Sequence, residues 1–338
     1  MGITLKKLYP GKPDPATLGA LIEKYTTTDD RVIQGARIGE DATVIDMGDR
    51  CLVAKADPIT FATDAIGAYA VYVNANDVAC MGATPKWFLA VLLLPENATH
   101  DLAESIFADI SQTCRSENIA YCGGHTEVVV GLDRPIVIGN MLGEVEKERL
   151  LLKRHARVGD HLLLVNGIPI EAVAIVGREK AGQMEAAFSK EFVERCRDYL
   201  YEPGISVLPA ARVARNGDLH ALHDPTEGGL ATAVHEIAYA AGTGAVIYQE
   251  KIVMPPEAKI ICDFYDLDPL GTIASGALLC VVPAKSAERQ LAAFAQAGMC
   301  AADIGRLVSK TRGVVLIENG RRRPLPKFER DEILKIFV

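Results

Sequence analysis

The chain has a single tryptophan, Trp87, and aromatic residues make up only 6% of its 338 positions. A core of the size that length allows must therefore be built from Ala, Val, Leu and Ile. No CxxC pair occurs among the eight cysteines, which stand singly at 51, 80, 114, 122, 196, 262, 280 and 300. Zinc-knuckle and thioredoxin-type motifs are thereby excluded. Surroundings such as Leu278-Leu279-Cys280-Val281-Val282 read as those of small buried thiols in a reducing compartment. The longest apolar stretches are strand-sized, so no transmembrane helix is expected. Lys6 and Lys7 are not followed by an apolar run, which leaves no signal-peptide pattern; the expectation is a cytoplasmic protein. Basic charge does not predominate either, with 36 Lys and Arg against 44 Asp and Glu. Net charge is −8, and the one dense basic run, Arg321-Arg322-Arg323, reads as a solvated turn after Asn319-Gly320, so nucleic acid is not an expected partner. Walker GxxxxGK[ST], Rossmann GxGxxG and GxSxG segments are missing as well. A phosphate site here must be of another kind.

The length favours two domains of about 100–200 residues each. Thr43-Val44-Ile45-Asp46 and Cys51-Leu52-Val53-Ala54 flank a Gly48-Asp49 turn and predict a hairpin. Residues 65–82 are rich in Ala and Gly at helical spacing, and a helix so poor in bulk must pack very close to its neighbour. Lys86 to Leu94 reads as a central strand, His100 to Asn118 as an amphipathic helix capped by Thr99 or Asp101, and Ile119 to Cys122 and Pro135 to Leu142 as further strands. Composition shifts near 148–160, which sets the boundary near 150: domains 1–150 and 151–338. The second half predicts a strand at His161 to Val165, helices near 169–180 and 188–200 and from Gly228 to Ala241, and strands at Gly244 to Tyr248, Ala277 to Val282 and Gly313 to Glu318. Strands and helices are interspersed without regular βαβ order, so the fold class is α+β, or mixed α/β.

Four acidic points sit beside small residues: Gly39-Glu40-Asp41-Ala42, Ala56-Asp57-Pro58, Asn74-Ala75-Asn76-Asp77 and Gly123-Gly124-His125-Thr126-Glu127. Magnesium takes a few carboxylates and leaves places for phosphate oxygens, and glycines let backbone N–H groups approach a phosphate. Each acid taken singly is equally well read as a cap on a helix or turn. Asp77 resists that reading, because it lies among Val71, Val73, Val78 and Cys80, where a buried carboxylate needs a partner or a metal. In the second half, His223-Asp224-Pro225-Thr226-Glu227-Gly228-Gly229-Leu230 opens a helix. Asp224 or Thr226 can cap it, and its first N–H groups either form an anion site or belong to an ordinary capped loop.

Together, Ile38-Gly39-Glu40-Asp41-Ala42, Asp57-Pro58, Asn76-Asp77-Val78-Ala79-Cys80-Met81-Gly82-Ala83-Thr84-Pro85 and Asp224-Pro225-Thr226-Glu227-Gly228-Gly229-Leu230-Ala231-Thr232 resemble the superfamily of aminoimidazole-ribonucleotide synthase, and within it most of all HypE. The resemblance runs over roughly residues 35 to 320. It implies a two-domain fold: an N-terminal sheet that pairs across a homodimer into a barrel, and a C-terminal α/β sandwich. It implies ATP and Mg2+ as cofactors, with Asp41, Asp57 and Asp77 as the metal acids. Asn76, Gly124, Thr126, Thr226 and Gly228 would lie around the nucleotide, and His125, Glu127 and Asp224 are the candidate catalytic groups. The activity implied is phosphorylation of a carbonyl or carbamoyl oxygen on a small or protein-borne acceptor, as in hydrogenase maturation. Alternatives are a kinase resembling thiamin-monophosphate kinase, an amidine-forming ligase, or a nucleotide-binding dimer without catalysis. Three departures stand out. HypE ends in a cysteine that carries the carbamoyl group, whereas this chain ends Glu332-Ile333-Leu334-Lys335-Ile336-Phe337-Val338. Gly124-His125-Thr126-Glu127 stands where HypE has Gly-Asp-Thr-Lys. Pro10-Gly11-Lys12-Pro13 replaces a glycine-rich N-terminal arm. A tail-borne thiocarboxamide is therefore not expected.

Overall fold

A computed structural model describes Gly11, Pro13 and residues 15–27 and 29–337. Lys6, Lys7, Pro10, Lys12 and Val338, which entered the sequence reading, lie outside the described residues. The described residues form two sheets. The first contains β1 (Val32–Gln34), β2 (Thr43–Asp46), β3 (Arg50–Ile59), β4 (Thr84–Leu94), β5 (Ala120–Val128) and β6 (Ile136–Glu146), in the order β1-β2-β3-β6-β4-β5. Among the described strands of this sheet only β4 and β5 pair in parallel; the β2–β3 hairpin is antiparallel around Gly48-Asp49, as its turn signal predicts. The second sheet contains β7 (His161–Val165), β8 (Ala221–His223), β9 (Gly244–Tyr248), β10 (Leu278–Val282), β11 (Ala301–Val308), β12 (Val314–Glu318) and β13 (Arg321–Pro324), in the order β13-β12-β9-β11-β7-β10-β8. This is a mixed α/β fold with two domains.

Helix α1 is Pro15–Tyr25, α2 is Ile66–Cys80, α3 is His100–Ser116 and α4 is Ile170–Glu179. Every residue of α2 is buried, and its small side chains explain how that is possible. A Cβ on Gly139 of β6 would fall 2.3 Å from Asn74 Nδ2, and one on Gly143 would fall 2.4 Å from Val78 Cγ1. On the opposite side, a Cβ on Gly67 would lie 2.6 Å from the Ile106 carbonyl oxygen of α3. The helix is pressed between β6 and α3 at distances that only glycine permits.

The structure corrects several expectations. β5 runs on through Gly123-Gly124-His125-Thr126-Glu127, so this segment is strand and not a loop after it. The reason is close pairing with β4: a Cβ on Gly124 would meet the Ala90 carbonyl oxygen at 1.8 Å, so glycine at this position is what the strand needs. Asp57 lies inside β3, not beyond its end. Arg321-Arg322-Arg323 is not a loop. It forms edge strand β13, paired antiparallel with β12, and its charged side chains discourage further pairing. Neither Asp224 nor Thr226 caps the helix Gly229–Ala241; its N-cap, Gly228, has no side-chain cap. The Gly228 N–H donates instead to Asp331 Oδ2 at 2.6 Å. Asp331 Oδ1 also accepts from the Ile273 and Ile333 N–H groups, so a carboxylate from the C-terminal segment occupies that helix end.

Candidate functional site

Asp41, Asp57, Asp77 and Asp224 converge on the seam between the two domains. Lys55 organises the first face. It lies two residues before Asp57 in β3, and the strand's period of two puts both side chains on one face. Its ammonium sits 3.2 Å from Asp57 Oδ2 and 3.2 Å from Asp77 Oδ2. Burial opposes its charge, yet Asp77, Asp57 and Asp41 together raise the Lys55 pKa and keep it protonated. Asp77 is 4% exposed. Burial first, then Asp224, Asp57 and Asp41, push its carboxyl well above the usual range, and Lys55 only partly offsets them.

The second face is built around Asp41. Its Oδ1 takes the Lys153 ammonium at 2.5 Å and His223 Nδ1 at 3.2 Å. Lys153 also donates to the Gly39 carbonyl oxygen, and His223 Nε2 lies 2.8 Å from Glu236. Burial works against the Asp41 charge, but His223 and Lys153 overcome it and hold the carboxyl below its ordinary value. Burial likewise opposes charging of His223, and Asp41 reverses this to about 9. Asp224 is pushed up to about 6 by burial and by Asp41, with His223 and Lys55 opposing; the Cys80 thiol donates to its Oδ1 at 3.4 Å.

Carboxylates outnumber cationic side chains in this cluster, and several oxygens are left bare. Asp41 Oδ2, Asp224 Oδ2 and Glu40 Oε2 are buried without a hydrogen-bond partner, and Asp77 Oδ2 has the Lys55 ion pair but no aligned hydrogen bond. Orphaned buried carboxylate oxygens are costly, and a divalent cation would satisfy them. The donor set fits magnesium: oxygens from a few acids, with Asp57 half-exposed toward solvent.

The remaining sequence candidates are placed as follows. The Asn76 amide is committed at both ends to the second domain, donating to the Ile205 carbonyl and accepting from the Val207 N–H, each at 2.8 Å. Its geometry is that of a domain clamp. Gly124, His125, Thr126 and Glu127 lie on exposed β5. There His125 pairs with Glu127 at 3.5 Å, and an open groove of about 340 Å3 is lined by Phe107, Tyr121 and residues 122–126. None of the four figures among the charges acting on the acid cluster. The Thr226 carbonyl accepts the Gly229 N–H, and the Gly228 N–H is taken by Asp331. Sequence reasoning missed Lys55, Lys153 and His223, and also a second buried acid group across the 224–229 loop. There Glu171, 4% exposed, accepts the Ser275 N–H at 3.2 Å; burial first, and Asp331 and Glu227 after it, raise its pKa and oppose its charge. The signal available for Lys55 was a lysine two residues from Asp57 in an otherwise apolar strand.

Residues 39–145 match the N-terminal domain, and residues 157–318 the C-terminal domain, of AIR synthase related protein. The chain belongs to this family. A carbamoyl dehydratase HypE of Rhodobacter capsulatus is 30% identical over 266 residues, 76% of this chain and 74% of that protein. A hydrogenase expression/formation protein of Methanocaldococcus jannaschii is 28% identical over 286 residues, 82% of each chain. Among solved structures, the hydrogenase maturation protein HypE in complex with ATP superimposes with a TM-score of 0.67 at 23% identity, covering 93% of this chain and 91% of that one. Within AIR synthase-related proteins this chain is thus HypE-like, and it stands among enzymes. No helix among its described residues is long and apolar enough to cross a membrane.

Proposed function

We propose that this chain binds ATP with magnesium at the Asp41–Asp57–Asp77 cluster and uses the γ-phosphoryl group to activate a carbonyl or carbamoyl oxygen. The observation that carries the reading is the convergence of carboxylates from four separate segments, with bare buried oxygens, around the Lys55 ammonium. The ATP complex of a HypE structure and the dehydratase names of the relatives support it. Magnesium, when bound, would offset phosphate charge. The chain's own residues supply the rest: Lys55 presents a positive charge held by Asp57 and Asp77, and the buried acids exclude water and fix its position. An acceptor carbonyl oxygen attacks the γ-phosphorus, ADP leaves, and the oxygen departs with phosphate. On a carbamoyl group, loss of that phosphate and of the N–H protons leaves a nitrile.

The same reading divides the chain near residue 150 and takes the acceptor as protein-borne or small, in a role akin to hydrogenase maturation. It also takes the chain as a homodimer. The support is that β5 is an exposed edge strand carrying Val128, followed by exposed Val130, and such an edge invites a second strand.

Thermal unfolding with ATP alone, Mg2+ alone and both tests the reading. A ligand that binds only the folded state at 100 times its Kd stabilises by about 2.7 kcal/mol, so both together should raise Tm clearly. The Mg2+-dependent part should vanish in Asp77→Asn. No shift under any of the three conditions refutes the nucleotide site.

A further inference from the structure

Asp57 is the acid that packing holds least. Its side chain is 36% exposed, against 6% for that of Asp77. β2 pairs with β3 only as far as Ala54, so at Asp57 the strand has β6 alone for a ladder partner. Asn74 of α2 makes up the difference. Its Oδ1 accepts the Asp57 N–H at 2.8 Å, and its Nδ2 donates to the Asp57 carbonyl oxygen at 3.2 Å. These are the two bonds that a residue of an antiparallel strand would exchange with its opposite number. Nδ2 also donates to the Ala70 carbonyl oxygen at 2.9 Å. Asn74 is fully buried, where an amide is costly unless it is bonded, and all but one of its bonds serve Asp57. Gly139, the β6 residue opposite Asp57, leaves room for this amide: a Cβ there would run into Asn74 Nδ2 and lie 2.8 Å from its Cγ. Asn74 also stands three residues before Asp77, so the two share a face of α2. The helical turn between them fixes how far the Asp57 backbone lies from the Asp77 carboxyl.

We propose that Asn74 is a positioning residue for Asp57: its amide, seated over Gly139, ties the Asp57 backbone to the turn of α2 that carries Asp77 and so sets the spacing of the two carboxylates across Lys55. The consequence for ligand binding rests on the proposed magnesium–nucleotide reading, whereas the brace itself belongs to the ligand-free chain. Asn74 acts through Asp57 and touches neither metal nor nucleotide. Asn74→Ala keeps α2 but takes the acceptor from the Asp57 N–H. Gly139→Ala keeps the amide but drives it from its seat.

The test has two arms, both on the full chain. In the ligand-free protein, hydrogen exchange of the Asp57 amide, followed by NMR, should speed up about tenfold or more in Asn74→Ala and in Gly139→Ala. It should not change in Gly143→Ala, which overpacks the same helix against the same strand at Val78. In the second arm, calorimetric titration of ATP in the presence of Mg2+ should weaken about tenfold in the first two variants, the loss expected when a group that orients a metal ligand is removed. Gly143→Ala should bind as the parent does. Because Asn74→Ala removes the amide that Gly139→Ala collides with, the double variant should lose much less than the sum of the two single losses. If either variant does not fold, Asn74→Leu fills the space of the amide without its bonds and carries the same expectations. Unchanged Asp57 exchange in the Asn74 variant overturns the proposal, and so does an affinity that stays at the parent value there or falls equally in Gly143→Ala. If the parent binds no ATP with Mg2+, the nucleotide reading fails, and the exchange arm still decides whether Asn74 holds Asp57.

Discussion

Glu171 should make this protein less stable as pH rises from 4.5 to about 7, and neutralising it should remove the effect. The residue sits in the first turn of α4, 4% exposed, with the Ser275 N–H at 3.2 Å as a hydrogen-bond donor. Burial raises its pKa from 4.5 to about 7; the Ser275 bonds oppose the rise, and Asp331 and Glu227 add to it. Below pH 4.5 the carboxyl is protonated in both folded and unfolded chains and contributes no pH dependence. Between 4.5 and about 7 the folded chain holds the proton that the unfolded chain releases, so the folded state binds more protons and stability falls with rising pH. At 1.36 kcal/mol per pH unit, the full loss above pH 7 is about 3 kcal/mol. Glu171→Gln keeps an oxygen for the Ser275 N–H and removes the charge. Urea unfolding should show the variant more stable by up to about 3 kcal/mol at pH 8, with the gain mostly gone at pH 5, read as a shift in midpoint at unchanged m. An equal effect at both pH values, or destabilisation at pH 8, would refute the reasoning.

Asp77→Asn should raise the ligand-free Tm while removing the Mg2+-dependent increment, because the carboxyl is held against its preference by burial and by Asp224, Asp57 and Asp41; differential scanning fluorimetry reads both. Asn76→Ala leaves the buried Ile205 carbonyl and Val207 N–H unpaired, at roughly 1–3 kcal/mol each. Chemical unfolding should show about 2–6 kcal/mol lost, with the second domain separating as its own transition. Gly143→Ala places a methyl 2.4 Å from Val78 Cγ1 and 2.7 Å from the Thr84 carbonyl oxygen. Overpacking of this kind costs about 1–3 kcal/mol, and calorimetry should find a lower Tm with the same nucleotide response.

The elements legible in the sequence are those whose cause is local. The β2–β3 hairpin follows from a turn between alternating runs, and α2 follows from small residues at helical spacing, which also announced its tight packing. The acids were legible because Asp41, Asp57 and Asp224 each stand beside proline or alanine, and Asp77 stands in a helix among Val71, Val73, Val78 and Cys80. Their partners were not. Lys153 and His223 meet Asp41 across 112 and 182 positions, and no periodicity reports such a contact. Gly123-Gly124 misled because glycine pairs usually end strands, whereas here the strand's own neighbour excludes any side chain. Asp331 was invisible for a related reason: the helix end it fills reads as open when the chain that returns to cover it lies 103 positions away.

The same long-range pairings tie ligand binding to domain docking. Asp41 is held by Lys153 and by His223, Asp224 accepts from Cys80, and Asn76 grips the backbone of residues 205–207. A cation that satisfies the bare oxygens of Asp41 and Asp224 therefore bonds across the seam, and it must strengthen docking by as much as docking strengthens its own binding. Weakening the clamp at Asn76 should then lower metal affinity although the Asn76 amide has no free group left to touch the metal. In Asn76→Ala, an unchanged Mg2+-dependent increment in Tm alongside the expected loss of stability would show that the seam and the site are independent.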